Sequence, residues 1–441
     1  MVPLICITFA ADEYMCANEY FKLATFKFCC TQTDNSHRLK FKMIKSLLKY
    51  LASIISPSHA KDLGFGLLLF LSLSSCSKDD DGHKVLRQYT NTVFVYMPWT
   101  GSEYSSNGSL TSAFEQNIRD IKSAIYNGDG AKETRTIVFF ADGAKSGRLF
   151  EINDDSTETT IRANISNGAM TTEDELKTLL NEVYSYSPTS KYSIIIGSHG
   201  DGWLPKGVSP RYSRSFGGQS ITMLTDITTL AEAISNSSIK KMQYICFDDC
   251  YMANIETVYA LRNATKWLIA STSEVMDAGL PYARIWKYLS MTDVDYSSVV
   301  SGFGNFYSSY SSPYGALSAI DCSKAEQMAS LMRELNQKYD SYTVVPNKLQ
   351  ALDGYSPHVY YDMGSYINER TECDTTDNRQ IYEELKEIVP YKFTTPQLYT
   401  MYDNGYTFVV RQFSGIAISD PSFNARIADS KKETEWWKAT H

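Results

Sequence analysis

The sequence predicts an α/β fold of three layers, a mainly parallel sheet covered by helices on both faces. Three observations carry this expectation. Short, continuous apolar runs recur along the chain, as strands buried on both faces require. Segments with apolar residues at helical spacing separate these runs, so strands and helices alternate. Two of the runs, Tyr192-Ser-Ile-Ile-Ile-Gly-Ser-His199-Gly200 and Tyr244-Ile-Cys-Phe-Asp248-Asp249-Cys250, end on chemically capable side chains, where open α/β sheets build their sites.

The elements follow in order. Residues 92–97 (Thr-Val-Phe-Val-Tyr-Met) read as a first buried strand, and residues 110–126 carry Leu, Phe and Ile at helical spacing. A strand over 134–141 and a hairpin strand near 148–152 lead to a helix over 172–186, opened by the capping signal Thr-Thr-Glu-Asp. Next are the strand ending at His199, a helix around 224–235, the strand ending at Cys250, a helix over 254–262 and a strand over 266–271. A strand over 314–320 and a helix over 323–339 follow. Beyond them, a strand over 359–366, a helix over 380–388 and a strand over 415–419 read as a smaller packing unit. Residues 204–219 are rich in Gly, Pro, Ser and basic residues and are expected to be an exposed loop.

The front of the chain reads differently. Residues 63–75 are an apolar stretch too short to span a bilayer but suited to an export signal, with Lys45, Lys49 and Lys61 ahead of it. It closes on Leu73-Ser-Ser-Cys76, which resembles a bacterial lipobox, so Cys76 is the expected lipidation site and new amino terminus. The run Ser77-Lys-Asp-Asp-Asp-Gly82 resembles the acidic tract behind the lipidated Cys of surface lipoproteins in Bacteroidetes-type bacteria. Residues 1–42 fit no export signal, and Met43 is the expected start. The expected divisions are therefore an extension and signal peptide (1–75), an acidic tether (76–90), a main domain (91–345) and a carboxyl-terminal subdomain packed on it (346–441). The location implied is the outer membrane, with the protein facing the cell surface or the periplasm.

A formal net charge of −8 over 441 residues, with no clustered Lys/Arg footprint, excludes a nucleic-acid partner. Of nine cysteines, Cys6, Cys16, Cys29 and Cys30 lie before Met43 and Cys76 is the lipobox residue. The remaining Cys246, Cys250, Cys322 and Cys373 are too few and scattered for a disulfide framework, which leaves a thiol free for chemistry.

A thiol attacks a peptide carbonyl as thiolate, so it needs an imidazole to take its proton and return it to the leaving amine. Of the six histidines, His37 and His59 precede the lipobox, His83 lies in the tether and His441 is terminal. His358 reads as a partly exposed residue at a strand start. His199 follows a buried strand and precedes Gly200, whose backbone N–H, with that of Cys250, would hold a developing oxyanion. The 51 positions between His199 and Cys250 (250 minus 199) are close to the roughly 50-residue His-to-Cys separation of caspases. Cys246, inside its strand, reads as a small core residue.

Ser198-His-Gly-Asp-Gly-Trp203 and Asp248-Asp-Cys-Tyr-Met-Ala-Asn-Ile-Glu256, extended by Tyr259-Ala-Leu261, resemble the His and Cys motifs of the clostripain family of cysteine peptidases. Val95-Tyr-Met97 and Gly415-Ile-Ala-Ile-Ser-Asp-Pro421 resemble the two ends of that family. The resemblance implies a caspase-like sandwich, a His199/Cys250 dyad acting on protein or peptide substrates, and cleavage after Arg or Lys. It makes Asp248 a wall of the specificity pocket; a carboxylate there would select a basic side chain by a charge-assisted contact. Asp277 is the second pocket candidate, with Glu274 next, although this stretch departs from the family's Gly-Trp-rich pattern. Some relatives cut themselves between His and Cys, and Lys206, Arg211 and Arg214 are the candidate positions. The dyad requires no cofactor. Calcium is the one ion the family brings in, and no loop here has EF-hand spacing. A monomer is expected. The alternatives are the same fold with another specificity, and a catalytically silent lipoprotein that binds through its 31 tyrosines.

Overall fold

The computed structural model describes residues 89–205, 216–372, 375–402 and 405–441. Cys76, Lys206, Arg211, Arg214 and Cys373 lie outside the described residues. The described residues begin with β1 (Asn91–Met97), α1 (Thr111–Tyr126), β2 (Thr134–Gly143), β3 (Ser146–Ile152), β4 (Glu158–Ile165), α2 (Glu173–Tyr186) and β5 (Lys191–Gly197). Three two-residue strands, β6 (His199–Gly200), β7 (Phe216–Gly217) and β8 (Leu224–Thr225), precede α3 (Ile227–Asn236), β9 (Met242–Asp248), α4 (Ile255–Leu261) and β10 (Thr265–Ala270). Helices α5 (Tyr282–Leu289) and α6 (Tyr296–Tyr307), strand β11 (Ala316–Asp321) and helix α7 (Ala325–Lys338) come next. The last part holds β12 (Tyr361–Asp362), α8 (Met363–Arg370), α9 (Thr375–Ile388), β13 (Tyr391–Thr394), β14 (Gln397–Thr400), β15 (Tyr406–Val409), β16 (Ala417–Ile418) and α10 (Glu435–Thr440).

Among the described residues nine strands form one sheet, in the order β13-β11-β10-β9-β5-β1-β2-β3-β4. Its central five are mutually parallel, and antiparallel pairs complete both flanks. Successive strand residues point to opposite faces, so a parallel strand covered on both sides must be apolar at every position. On β1, Val93, Val95 and Met97 join one core with α1, α5 and α6, while Phe94 and Tyr96 join the other with α2, α3, α4 and α7. Strands β5 and β9 divide in the same way, with Ile195, Tyr244 and Cys246 on the α1 side and Ile194, Ile196, Ile245 and Phe247 opposite. Each fully buried side chain of this size contributes roughly 1.5–3 kcal/mol. This is the caspase-like three-layer sandwich expected.

The α2 amino terminus carries the capping box anticipated from its sequence: Glu175 N–H donates to Thr172 Oγ1, and Thr172 N–H to Glu175 Oε2. Other expectations are corrected. Strands β5 and β9 end at Gly197 and Asp248, so His199 and Cys250 stand beyond the main sheet. The strand expected over 359–366 is two residues of β12 followed by α8, because Asp362 caps that helix by accepting from Ser365 N–H at 2.9 Å. The carboxyl-terminal residues pack on the main domain: strand β13 completes the main sheet against β11, and α8 and α9 pack into the α2-side core.

Candidate active site

The parallel register of β5 and β9 sets Gly197 opposite Asp248. Chains leaving two neighbouring parallel strands emerge on the same rim, so His199 and Cys250, each two residues further on, are brought side by side. The approach is close enough to require glycine. A Cβ on Gly200 would lie 2.7 Å from Cys250 O and 3.1 Å from Cys250 N, so the Gly200 and Cys250 backbones are in contact.

The adjacent aspartates that end β9 do different work because they point to opposite sides. Asp249, buried, clamps the two strand ends together: Oδ1 accepts from Ser198 N–H at 2.6 Å and Oδ2 from Ser198 Oγ at 2.8 Å. Asp248 points toward α1 and α5. It accepts from Leu280 N–H at 3.0 Å, from Tyr282 Oη–H at 3.0 Å and from Asn117 Nδ2 at 3.4 Å. Burial raises its pKa to about 6, although the Leu280 and Tyr282 donors pull the other way. A carboxylate offers about four acceptor positions, and these three donors take three of them. Gly279, at φ +62°, lies against this carboxylate; a Cβ there would sit 2.8 Å from Asp248 Oδ2. Asp277 is exposed on the same loop. Tyr307 donates to Gly279 O at 2.9 Å.

Cys250 keeps some exposure, but its Sγ is surrounded by protein and accepts from Val275 N–H at 3.2 Å. Burial first, then the Glu274 carboxylate, push its thiol well above the ordinary range, against the opposing pull of Val275 N–H. In this arrangement it is a thiol at neutral pH. The next residue, Tyr251, has φ +62°, a strained position for a tyrosine. Its ring stacks on Tyr360 at 5.5 Å, and its hydroxyl donates to Glu274 Oε1 at 2.8 Å.

His199 faces the β1–α1 loop, where Nε2 lies 2.7 Å from Gly108 O. A carbonyl only accepts, so Nε2 carries the hydrogen and Nδ1 keeps the basic lone pair. Burial lowers the imidazole pKa, partly offset by the Gly108 carbonyl, so the ring rests neutral at pH 7.

Glu274, the runner-up for the pocket, is engaged elsewhere. It accepts from Thr400 Oγ1 at 2.7 Å and from Met401 N–H at 2.9 Å, which ties the β14–β15 hairpin to the Cys250 side. His358 lies away from the rim residues, with Nδ1 3.1 Å from Asp353 Oδ1. Asn117, Asp249, Tyr282 and Tyr307 were not anticipated. Only the doubled Asp248-Asp249 carried a signal, since alternation sends neighbouring residues to opposite faces. Among the described residues no group of three or more His, Cys, Asp or Glu could hold a metal ion, and no helix is long and apolar enough to cross a membrane.

Comparison with known proteins agrees with this geometry. The clostripain family model matches residues 104–427. A secreted cysteine protease from Bacteroides thetaiotaomicron, iotapain, is 40% identical; the match covers 80% of this chain and 100% of that one, with a TM-score of 0.73. An inactive protease zymogen from Parabacteroides distasonis shares the fold at 24% identity, covering 80% of this chain and 99% of that one with a TM-score of 0.68. A further secreted Bacteroides thetaiotaomicron cysteine protease, solved with an irreversible peptide inhibitor, shares it at 20% identity, covering 80% and 99%, with a TM-score of 0.66. No curated protein matches. With the family model spanning most of the chain and a relative 40% identical along its whole length, this protein belongs to the clostripain family of cysteine peptidases.

Proposed function

We propose that the protein is an endopeptidase that cleaves after Arg or Lys, with Cys250 as nucleophile and His199 as general base. The observation that supports the reading is the register of β5 and β9, which pairs Gly197, two residues before His199, with Asp248, two residues before Cys250. When substrate enters, His199 Nδ1 takes the Cys250 proton as Sγ bonds to the scissile carbonyl carbon. The oxyanion is held by backbone N–H groups, for which Gly200 and Cys250 are the candidates. The C–N bond then breaks, the imidazolium proton goes to the leaving amine, and a thioester remains. Water, activated by the same nitrogen, hydrolyses the thioester and returns the thiol.

Specificity rests on Asp248, whose charge above pH 6 suits a guanidinium or ammonium, with Asp277 at the mouth of the same loop. The inhibitor-bound relative supports a peptide as the substrate class. Self-cleavage at Lys206, Arg211 or Arg214 and lipidation of Cys76 complete the proposal. No cofactor enters the chemistry.

Fluorogenic peptides ending in Arg, Lys, Asn, Asp or Leu, assayed with and without calcium, test the reading. Release after Arg and Lys alone is expected. Release after another residue would reject the pocket assignment, and no release from any peptide would reject the activity. A denaturing gel of wild type should show two fragments where Cys250→Ala shows one band; one band in both rejects self-cleavage.

A further inference from the structure

We infer that Gln219 is a positioning residue for catalysis, fixing with the Gly108 carbonyl which nitrogen of His199 is basic. The inference rests on His199 being the base, as proposed above. Gln219 follows β7 and is held by its own backbone: its N–H donates to Gly101 O at 3.0 Å, and its neighbour Gly218 donates to Met223 O at 2.7 Å. Ser220 Oγ donates to Glu103 Oε2 at 2.6 Å. These bonds fasten the segment to the β1–α1 loop, so the Gln219 side chain is delivered to Gly108.

Gln219 Nε2 lies 3.4 Å from Gly108 O and 3.4 Å from His199 Nε2, while His199 Nε2 lies 2.7 Å from the same oxygen. A carbonyl oxygen has two lone pairs, and here two N–H donors converge on it. The 2.7 Å contact makes His199 Nε2 a donor to that oxygen, and the Gln219 amide, itself only a donor, shares the oxygen with it, which leaves Nδ1 as the site for the Cys250 proton. Gly108 has φ +70°, and a Cβ there would fall 2.1 Å from Gln219 Nε2. The amide thus fills the space that a side chain at residue 108 would take.

The chemical type of the residue matters as well as its shape. The positive end of a neutral amide beside the ring disfavours imidazolium, whereas a carboxylate would favour it. Four other titratable groups lie on the neighbouring elements. Glu103 is engaged by Ser220, Asp249 by Ser198 and Asp201 by Tyr355, and the fourth is Cys250 itself. None of them bonds the imidazole among the described residues, so a charge introduced at 219 should act on it directly.

The test is the pH dependence of kcat and kcat/KM on the best Arg peptide, for wild type, Gln219→Glu and Gln219→Met, with Cys250→Ala as the blank. Gln219→Met should lower kcat roughly threefold to tenfold, the worth of one modest hydrogen bond, and leave KM unchanged. Gln219→Glu should move the acidic limb of kcat/KM to higher pH. Equal losses in both variants without movement of the limb, or wild-type behaviour in both, would overturn the inference. Activity in Cys250→Ala would instead reject the dyad. Nitrogen NMR of the imidazole in Cys250→Ala protein supplies a readout that needs no turnover. A neutral ring protonated on Nε2 is expected at pH 7, and a ring protonated on Nδ1 would overturn the inference.

Discussion

At the Cys250 end of the rim, the backbone is locked from several sides. Tyr251 is held in a left-handed conformation by its stack on Tyr360 and its bond to Glu274, and Glu274 is in turn bonded by Thr400 and Met401. The His199 ring, 51 residues earlier in the chain (250 minus 199) and also partly buried, is held by polar contacts instead. Its imidazole meets one backbone carbonyl and one glutamine amide, both from loops. The position of Cys250 is therefore set by side chains and backbone from Glu274 onward, and the orientation of His199 by a few polar contacts. Apart from Cys250 itself, substitutions at the first end should act mainly on stability, and substitutions at the second mainly on rate.

The sharpest break is at the reacting groups themselves. Cys250→Ala and His199→Ala should each reduce kcat on an Arg peptide by about 10⁴-fold or more, with melting temperatures near wild type. Next is Gly200→Ala, whose new Cβ would meet the Cys250 backbone at 2.7 Å and push the two ends apart. A displacement of about 1 Å at a reacting centre costs on the order of 10²-fold, so kcat should fall by that factor. Retained kcat would mean that the two ends do not work together.

Asp248→Asn separates specificity from fold. Burial penalises the charged form of Asp248, so removing the charge should not lower the melting temperature at pH 7. The preference for a P1 Arg over its neutral isostere citrulline should fall by about 10- to 100-fold, the worth of one charge-assisted contact. In wild type the same preference should decline on acidification, because the raised pKa of about 6 puts protonation of Asp248 in that range. Taking the ratio of the two substrates cancels the titration of the dyad. A ratio that does not change with pH would assign basic recognition elsewhere, with Asp277 the next candidate.

The smallest effect is at Glu274. Glu274→Gln keeps an oxygen for some of its three donors but weakens charge-assisted bonds, and should cost about 1–2 kcal/mol of stability with little change in KM. A loss of Arg preference without a loss of stability would return Glu274 to the specificity pocket.

These contrasts match what was legible in the chain. Strands β1, β2, β5, β9 and β10 could be read because double-sided burial demands unbroken apolar runs, and His199 and Cys250 because they stand just where those runs stop. Strand β4 was not, since it is an edge strand with most side chains exposed and carries almost no apolar signal. Helices α5 and α6 were missed although both pack on α1's core; aromatic residues such as Tyr282, Trp286, Phe303 and Tyr307 dominate their buried faces. Asp248 was offered as a pocket residue by the family resemblance and by no local pattern. Its partners Asn117 and Tyr282 were not, being 131 and 34 residues away. Gly108 and Gln219 reach His199 only through tertiary structure, 91 and 20 residues from it, and leave no local pattern.

The central claim, that Cys250 reacts because His199 takes its proton, is tested most directly by alkylation with iodoacetamide followed by peptide mapping. The account predicts one modified residue, Cys250, in step with loss of peptidase activity. In His199→Ala the labelling should be slow at pH 7 and accelerate as pH rises toward and beyond 9, because burial and Glu274 keep the unaided thiol protonated. Inactivation with the label on Cys246 or Cys322, or labelling of Cys250 that is equally fast with and without His199, would contradict it.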